Sequence, residues 1–449
     1  MDDTICAISN SLWVWAISII RFSGKDAIKK VNSIFSSDLI KVKSHSINYG
    51  HIIYKNEMID EVLVMLMKAP KTYTKEDIVE INSHGGYTTT NKILEILLDI
   101  GCRLAEPGEF TKRAFLNGRI NLLQSEAVNE LINAKSESKR KLCLNQIGNN
   151  LTKIIEDIRE DIIKLLANIE VNIDYPEYED NEVVTSSLLK KNLTLLSEKI
   201  EKLENNSKYG KIVSNGINIA IVGKPNVGKS SILNHLIDEE KAIVTDIAGT
   251  TRDIIEASLT LNGIELKLID TAGIHNTDDV VEKIGVNKSK EQIEKADLVI
   301  LVLDGSKPLS NEDIELLNKV NEDKTIIFIN KNDLKKNINL NLLHYKNIVE
   351  GNVKSIDGLD KLKEKIIDLF NLNEINKDLT YLSNARQIDL IHKAKNSIKN
   401  AKNSLDMNVP IDMVSTDLRE CYEYLGKIIG KTYEDDVIDR LFKDFCVGK

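Results

Sequence analysis

Cysteine is scarce in this chain and badly placed for shared chemistry. The five thiols, Cys6, Cys102, Cys143, Cys421 and Cys446, form no CxxC pair and have no histidine at ligand spacing. Neither a zinc site nor a disulfide framework is indicated, and most of these cysteines read as small buried hydrophobes. Long apolar runs are also missing. The stretch Leu12 to Ile20 is too short to span a bilayer. It lacks the basic lead and small-residue cleavage site of a secretory signal, so the expectation is a cytoplasmic protein. Nor is there an excess of positive charge. A formal net charge of −9 argues against a protein that coats nucleic acid by itself, because phosphate contacts need a Lys/Arg-rich face. A local basic patch, or a partner that helps to hold RNA, stays compatible with that balance. Internal repeats and low-complexity tracts are absent too.

What is present is ordinary for a soluble globular protein: 42% apolar and 29% charged residues. A length of 449 residues exceeds what one core usually organises, so two or three domains are expected. Residues 1–118 mix short β-branched runs, such as DEVLVMLM (60–67) and IVEI (78–81), with turn signals including Ser83-His84-Gly85-Gly86. They read as a small α+β domain. From about 120 the apolar period turns helical: Leu151, Ile154, Ile155, Ile158, Ile162, Leu165 and Ile169, then Leu193, Leu196, Ile200 and Leu203. A strand–loop–helix alternation follows, with the apolar runs INIAIV (217–222), LKLID (266–270), LVILVLD (298–304) and TIIFIN (325–330). Continuous runs of this kind fit a parallel sheet covered on both faces. Helical spacing returns with Ile388, Ile391, Lys395, Ile398, Lys402 and Leu405. The expected fold is therefore multidomain: a small α+β N-terminal domain (1–118), an all-α helical domain (119–210 and 376–449) and an inserted Ras-like doubly wound α/β G domain (215–372). Two separate small helical bundles are the alternative to one interrupted helical domain.

Gly223-Lys224-Pro225-Asn226-Val227-Gly228-Lys229-Ser230 follows the strand INIAIV and opens a helical pattern beginning at Ser230-Ser231. This is GxxxxGKS in its strand–loop–helix setting. The glycines let backbone N–H groups curl around phosphate, and the helix N-terminus adds a favourable dipole. Lys229 is expected on the β- and γ-phosphates and the Ser230 hydroxyl on Mg²⁺. Three further motifs come in order. Gly249-Thr250-Thr251 offers a hydroxyl for the Mg²⁺ shell. Asp270-Thr271-Ala272-Gly273 ends a strand, where Asp270 can hold the metal through water and Gly273 can sense the γ-phosphate. Asn330-Lys331-Asn332-Asp333 ends another strand. The Asp333 carboxylate can accept both N1–H and the exocyclic amine of guanine, which adenine does not offer, so the nucleotide is read as GTP.

The hydrolytic machinery departs from the Ras pattern. Ile274 stands where a glutamine would orient the attacking water. Either hydrolysis is very slow or another group positions the water. Asn226 offers a side-chain oxygen near the β–γ bridge, and carbonyls of Thr245 to Thr250 can complete a cage for a monovalent cation that supplies positive charge. The alternative for Asn226 is a loop-stabilising hydrogen bond.

At this point the chain resembles the MnmE (TrmE) family of tRNA modification GTPases along nearly its whole length. The resemblance rests on Asp3-Thr4-Ile5, Ile20-Arg21-Phe22-Ser23-Gly24, Tyr73-Thr74, Glu76-Asp77, Glu80 and His84-Gly85-Gly86. It also rests on the segment from Pro107 to Arg119 (PGEFTKRAFLNGR), on the G motifs, and on the tail Phe445-Cys446-Val447-Gly448-Lys449. The PGEFTKRAFLNG segment and the tail are highly specific. The resemblance implies a GTPase that dimerises through its N-terminal domain and works with the flavoprotein MnmG in a heterotetramer. It implies addition of an aminomethyl-type group to C5 of the tRNA wobble uridine, with a folate, 5-formyltetrahydrofolate or a relative, as one-carbon source. It implies K⁺-stimulated hydrolysis when two G domains meet. Asn226 with the carbonyls of Thr245, Ile247 and Thr250 matches the K⁺ positions, and Ser230 and Thr251 match the Mg²⁺ positions. Glu282 matches the water-orienting glutamate, joining Lys229 and Thr251 as the catalytic set. The GTP/GDP site spans Asn226, Val227, Gly228, Lys229, Ser230, Ser231, Thr245, Asp246, Ile247, Ala248, Gly249, Thr250, Thr251, Asp270, Thr271, Ala272, Gly273, Asn330, Lys331 and Asp333. Arg21, Glu80, Arg119 and Lys449 fall on folate-contacting positions. Cys446 matches the tail cysteine, for which a catalytic and a structural role are both open.

Three stretches depart from the family pattern. Ser11-Leu12-Trp13-Val14-Trp15-Ala16 replaces a glycine-rich loop, placing two indoles where glycines are usual. His275-Asn276-Thr277 and Asn352-Val353-Lys354 also differ from the usual residues. The competing function is a nucleotide-switched RNA- or ribosome-assembly factor with the same kind of G domain. A third is a binding module in which nucleotide only gates dimer contacts.

Overall fold

The computed structural model describes residues 3–10, 15–174, 186–239, 258–269, 291–339, 343–353, 356–407, 409–433, 435–443, 445–446 and 448. They fall into two compact units, Met1–Ile132 with Thr152–Leu196 and Lys393–Lys449, and Asn133–Leu151 with Ser197–His392.

Period-two alternation shapes the first sheet. Its elements run β1 (Ile5–Ile8), β2 (Ile17–Ser23), α1 (Ala27–Asn32), β3 (Ser46–Tyr54), β4 (Glu57–Met67), β5 (Ile78–His84), α2 (Tyr87–Asp99) and β6 (Arg103–Leu104). The strand order is β3-β4-β5-β2-β1-β6. Val62, Val64, Leu66, Val79, Ile81, Ile20 and Phe22 point into a core closed by Val31 of α1 and by Ile93 and Leu97 of α2. Each fully buried aliphatic or Phe side chain of this kind contributes about 1.5–3 kcal/mol. Intervening positions face the other way, so Ile17, Ile47, Tyr49 and Leu63 stand exposed on a sheet face shared with Arg21 and Glu80.

Helices follow: α3 (Glu109–Leu116), α4 (Leu122–Ile132), α5 (Glu137–Ile147), α6 (Asn150–Asp174) and α7 (Ser186–Asn215). The inward stripe of α6 is Leu151, Ile155, Ile158, Ile162, Leu165 and Ile169, all buried. Ile154 lies off that stripe and is exposed.

The second sheet comprises β7 (Ile217–Val222), β8 (Ser258–Leu261), β9 (Ile264–Leu268), β10 (Leu298–Asp304), β11 (Thr325–Asn330) and β12 (Ile348–Glu350). Its order is β12-β11-β10-β7-β9-β8, parallel throughout except for β8. Every residue of β10 and β11 is buried. Ile300, Val302, Ile326 and Phe328 feed one core, and Val299, Leu301, Leu303, Ile327 and Ile329 feed another on the opposite face. Two covered faces explain why these strands read as unbroken apolar runs. Helices α8 (Lys229–Glu239), α9 (Asn311–Lys319), α10 (Ile356–Leu369) and α11 (Leu372–Ile375) accompany the sheet. The chain closes with α12 (Ala385–Asp406), α13 (Ile411–Ile429) and α14 (Asp435–Lys443). The architecture is multidomain: an α+β N-terminal domain, a helical region, and a doubly wound α/β domain that interrupts the helices in sequence.

Candidate functional site

The phosphate loop is the six residues between β7 and α8, and its backbone explains its glycines. Gly223, Asn226 and Gly228 have φ of 151°, 63° and 107°. A Cβ on Gly228 would stand 2.3 Å from Asn330 Nδ2, and one on Gly223 would stand 2.5 Å from the Val302 carbonyl oxygen. Only glycine fits either place. Val227 is buried in the sheet core and anchors the loop from beneath. Lys229 folds back across it, Nζ donating to the carbonyls of Gly223 (2.8 Å) and Lys224 (2.7 Å). Ser230 and Ser231 sit exposed on the first turn of α8, where helix N–H groups and dipole favour an anion.

At the end of β11, Asn330 acts as a clip. Its Nδ2 donates to the Val227 carbonyl at 2.7 Å, while Oδ1 accepts from the N–H groups of Lys331 (2.8 Å) and Val353 (3.1 Å). Lys331 donates to the Asn226 carbonyl at 3.2 Å and to Asp304 Oδ2 at 2.7 Å. Burial works to raise the Asp304 carboxyl, yet the hydrogen bonds from Lys331 and Ser306 hold it below its ordinary value. A second clip joins Lys224 Nζ to Asp313 Oδ2 (2.6 Å) and Ser310 Oγ (2.8 Å), the pair that forms the capping box of α9. Asp333, two residues past the Lys331 that contacts the phosphate loop, is exposed.

Asn226, Val227, Gly228, Lys229, Ser230, Asn330 and Lys331 thus come together at one sheet end. Thr245, Asp246, Ile247, Ala248, Gly249, Thr250, Thr251, Asp270, Thr271, Ala272, Gly273 and Glu282 lie outside the described residues. Sequence reasoning missed Lys224, Asp304, Ser310 and Asp313. The Ser310-to-Asp313 capping pattern was readable, but nothing local tells that Lys224 reaches it.

A second constellation sits on the N-terminal sheet. Arg21 of β2 lies opposite Glu80 of β5, with Nε 2.7 Å from Oε1. Arg21 Nη1 donates to the Gly448 carbonyl at 3.0 Å, and its Cζ lies 5.8 Å from the Phe110 ring centroid. Arg119 is exposed and stacks over Tyr73 at 4.6 Å, whose hydroxyl is 3.0 Å from Thr111 Oγ1. Arg21 and Glu80 therefore meet directly, whereas Arg119 is tied in through Tyr73 and α3. Lys449 and Trp13 lie outside the described residues.

The PGEFTKRAFLNG segment builds the frame for this constellation. Gly108, at φ 67°, leaves room for Phe445, which a Cβ would approach to 2.7 Å, and its N–H donates to the Cys446 carbonyl at 3.2 Å. Arg113, 1% exposed, binds Asp3 Oδ1 (2.7 Å), Glu76 Oε2 (3.2 Å) and Glu109 Oε1 (3.1 Å). Burial works to raise the Asp3 and Glu109 carboxyls, but Arg103 and Arg113 hold both below their ordinary values. The His84-Gly85-Gly86 motif has a steric reason as well. A Cβ on Gly85 would lie 2.1 Å from the Trp15 carbonyl oxygen, and the Trp15 N–H donates to the Gly85 carbonyl at 3.2 Å. The Trp15 side chain is 58% exposed.

Among the described residues no helix is long and apolar enough to cross a membrane. Two family models match the chain: the GTP-binding protein TrmE N-terminus over residues 4–119 and the MnmE helical domain over residues 122–446. The tRNA modification GTPase MnmE of Bacillus cytotoxicus is 50% identical over 100% of this chain and 99% of its own length. That of Streptococcus agalactiae is 48% identical over 100% and 98%. Among solved structures, the G domain of the T. maritima FeoB iron transporter is 30% identical, covers 34% of this chain and 98% of its own, and superposes with a TM-score of 0.25. At that TM-score the likeness carries no inference. Identity near one half along the full length, with both family models matched, is decisive: the chain belongs to the MnmE family of tRNA modification GTPases.

Proposed function

We propose that this GTPase couples GTP hydrolysis to the addition of an aminomethyl-type group at C5 of the tRNA wobble uridine, acting in the cytoplasm as a homodimer with the flavoprotein MnmG. The observation that carries the reading is the Arg21–Glu80–Gly448 constellation, which gathers residues 427 positions apart onto one sheet face. A plain nucleotide switch has no use for such a gathering in addition to its G domain. A guanidinium paired with a carboxylate and flanked by Phe110 suits a flat heterocycle bearing a carboxylate tail, the chemistry of a folate. Arg21, Glu80, Arg119 and Lys449 are assigned to that ligand. The apolar residues Ile17, Ile47, Tyr49 and Leu63 on the same sheet support dimerisation through this domain.

In the G domain, Lys229 and the N–H groups of the loop bind the nucleotide phosphates, and Asp333 selects guanine. The Ser230 hydroxyl, exposed at the first turn of α8, suits a hard Mg²⁺ ion, with Thr251 as its second protein ligand. A Mg²⁺ ion held by these hydroxyls would supply positive charge to the phosphoryl group being transferred. The left-handed Asn226, its carbonyl already bound by Lys331, leaves its side-chain oxygen for K⁺ together with the Thr245, Ile247 and Thr250 carbonyls. Glu282 orients the attacking water in place of the missing glutamine. The proposed boundaries are 1–118 for the N-terminal domain, 119–210 and 376–449 for the helical domain, and 215–372 for the G domain.

The test is mass spectrometry of tRNA nucleosides from cells lacking this protein, complemented with wild type, Arg21→Ala or Lys229→Ala. Loss of C5-modified wobble uridine, restored by wild type alone, is the expected result. An unchanged nucleoside profile in the deletion strain removes the tRNA role and leaves a GTPase with a different output.

A further inference from the structure

One buried charge belongs to neither constellation. Arg159 lies on α6 between the core residues Ile158 and Ile162 and is 6% exposed. Its Nε is buried with no hydrogen-bond partner among the described residues. The guanidinium sits 4.0 Å from the ring centroid of Tyr422 on α13. The nearby carboxylates are engaged elsewhere: Glu156 with Lys431 at 2.9 Å, and Glu160 with Lys164 at 3.1 Å. Burial lowers the Arg159 pKa below the usual guanidinium value, with only partial opposition from Tyr422 and Glu156. A well-paired buried arginine is shifted upward by its partner instead.

Space adjoins this charge. A cleft of about 290 Å³ is lined by Glu156, Arg159, Glu160, Ile163, Tyr422 and Lys431. Gly426 makes room for the head group inside α13, since a Cβ there would stand 3.1 Å from Arg159 Nη2 and 3.4 Å from Thr432 Oγ1. Glycine in a helix interior is unfavourable by itself, so its presence under the guanidinium marks a place shaped around Arg159.

We propose that this cleft binds a small phosphate-type oxyanion, held by Arg159 with Lys431 at the rim. The planar guanidinium presents paired N–H donors that match oxyanion geometry. Glu156 and Glu160 on the rim repel an extended polyanion, because a nucleic-acid backbone needs an uninterrupted basic track. A compact anion fits between them. It gives Nε a partner and compensates the buried charge, and it ties α6 to the segment that follows α13, because Arg159 lies on α6 and Lys431 just past the end of α13.

The experiment uses the full chain loaded with GDP and Mg²⁺, so that the phosphate loop is already filled. Inorganic phosphate is titrated calorimetrically at constant ionic strength, with acetate as the carboxylate arm. Saturable phosphate binding is expected in the wild type, weakened tenfold or more by Arg159→Met and less by Lys431→Met. In phosphate-free buffer Arg159→Met should melt no lower than wild type, because it removes an uncompensated buried charge. A purely structural arginine gives the opposite shift. Should Arg159→Met fail to fold, Arg159→Lys keeps the charge, loses the fork and should bind phosphate less tightly than wild type. No saturable heat in the wild type, equal heat in the folded Arg159 variant, or tighter binding of acetate than of phosphate each overturns the proposal.

Discussion

Replacing Asn330 by alanine removes the clip between β11 and the phosphate loop. Three hydrogen bonds disappear, at 2.7, 2.8 and 3.1 Å. Asn330 is itself 4% exposed, so the Val227 carbonyl and the Val353 N–H lose their partner in a largely dry environment. A buried polar group left unpaired costs about 1–3 kcal/mol, so two such groups set a penalty of about 2–6 kcal/mol against the ordered loop, of which partial rehydration leaves about 2–4 kcal/mol. The ordered loop is the form that binds phosphate, so most of this penalty appears in affinity. GDP should bind roughly thirty- to a thousandfold more weakly, with partial rehydration favouring the lower end. Displacement of a fluorescent GDP analogue measures this, and the melting curve of the nucleotide-free protein checks that the fold survives. Asn330→Asp separates the two ends of the clip. It retains an acceptor for Lys331 and Val353 but sets a carboxylate oxygen against the Val227 carbonyl, so it should also bind GDP poorly. GDP affinity within threefold of wild type for Asn330→Ala would refute the view that this side chain shapes the loop.

Gly85→Ala forces a Cβ to 2.1 Å of the Trp15 carbonyl, and should lower the melting midpoint and shift indole emission; an unchanged midpoint and spectrum would show that the backbone there gives way freely. Asp3, Glu109 and Asp304 have folded-state pKa values below ordinary. The stability they contribute is therefore complete above about pH 4.5 and lost as pH falls through their lower folded values. Acid melting curves should record that loss, and Glu109→Gln should flatten part of the profile; identical wild-type and Glu109→Gln profiles would contradict it. GTP hydrolysis should be faster in KCl than in NaCl at matched ionic strength, with Asn226→Ala abolishing the difference and Glu282→Ala slowing turnover without loss of binding. Equal rates in both salts would count against a caged cation.

The parallel sheet was legible because burial on both faces leaves no ambiguity of period. INIAIV, LVILVLD and TIIFIN coincide with β7, β10 and β11. β9 begins two residues before the apolar run LKLID, because the Asn262-Gly263 turn starts the strand at Ile264. The short β8 and β12 carry too few apolar residues to announce themselves. Ser83 and His84 looked like a turn but extend β5, because pairing with Ile17 and Ser18 of β2 overrides their weak strand preference. In α12 the helical spacing of the sequence takes in Lys395 and Lys402, which do not belong to the buried stripe. The buried stripe is Ile391, Ala394, Ile398, Ala401 and Leu405, with alanines inward where Lys395 and Lys402 flank. At the nucleotide site the GxxxxGKS and NKxD motifs stood out, whereas Lys224–Asp313 and Lys331–Asp304 are long-range pairs between residues unremarkable in sequence. The thiols Cys6, Cys102, Cys143 and Cys421 are buried, as expected of cysteines with no ligand or disulfide spacing, and Cys446 is exposed.

The contacts of Gly108 and Arg21 with residues 445–448 have a consequence for synthesis. A ribosome delivers Arg21 and Glu80 early, and the parallel sheet has every strand by residue 350. The N-terminal constellation must wait for nearly a hundred further residues before the Phe445 ring and the Gly448 carbonyl arrive. Phe115 is held waiting as well, because its aromatic partner Phe442 emerges in the same late stretch. Throughout that interval the sheet that carries the phosphate loop has all its strands, while the Arg21 guanidinium lacks the Gly448 carbonyl. A polypeptide stopped short of Phe445 keeps every strand of the sheet that carries the phosphate loop and lacks the Phe445 and Gly448 contacts of the second constellation.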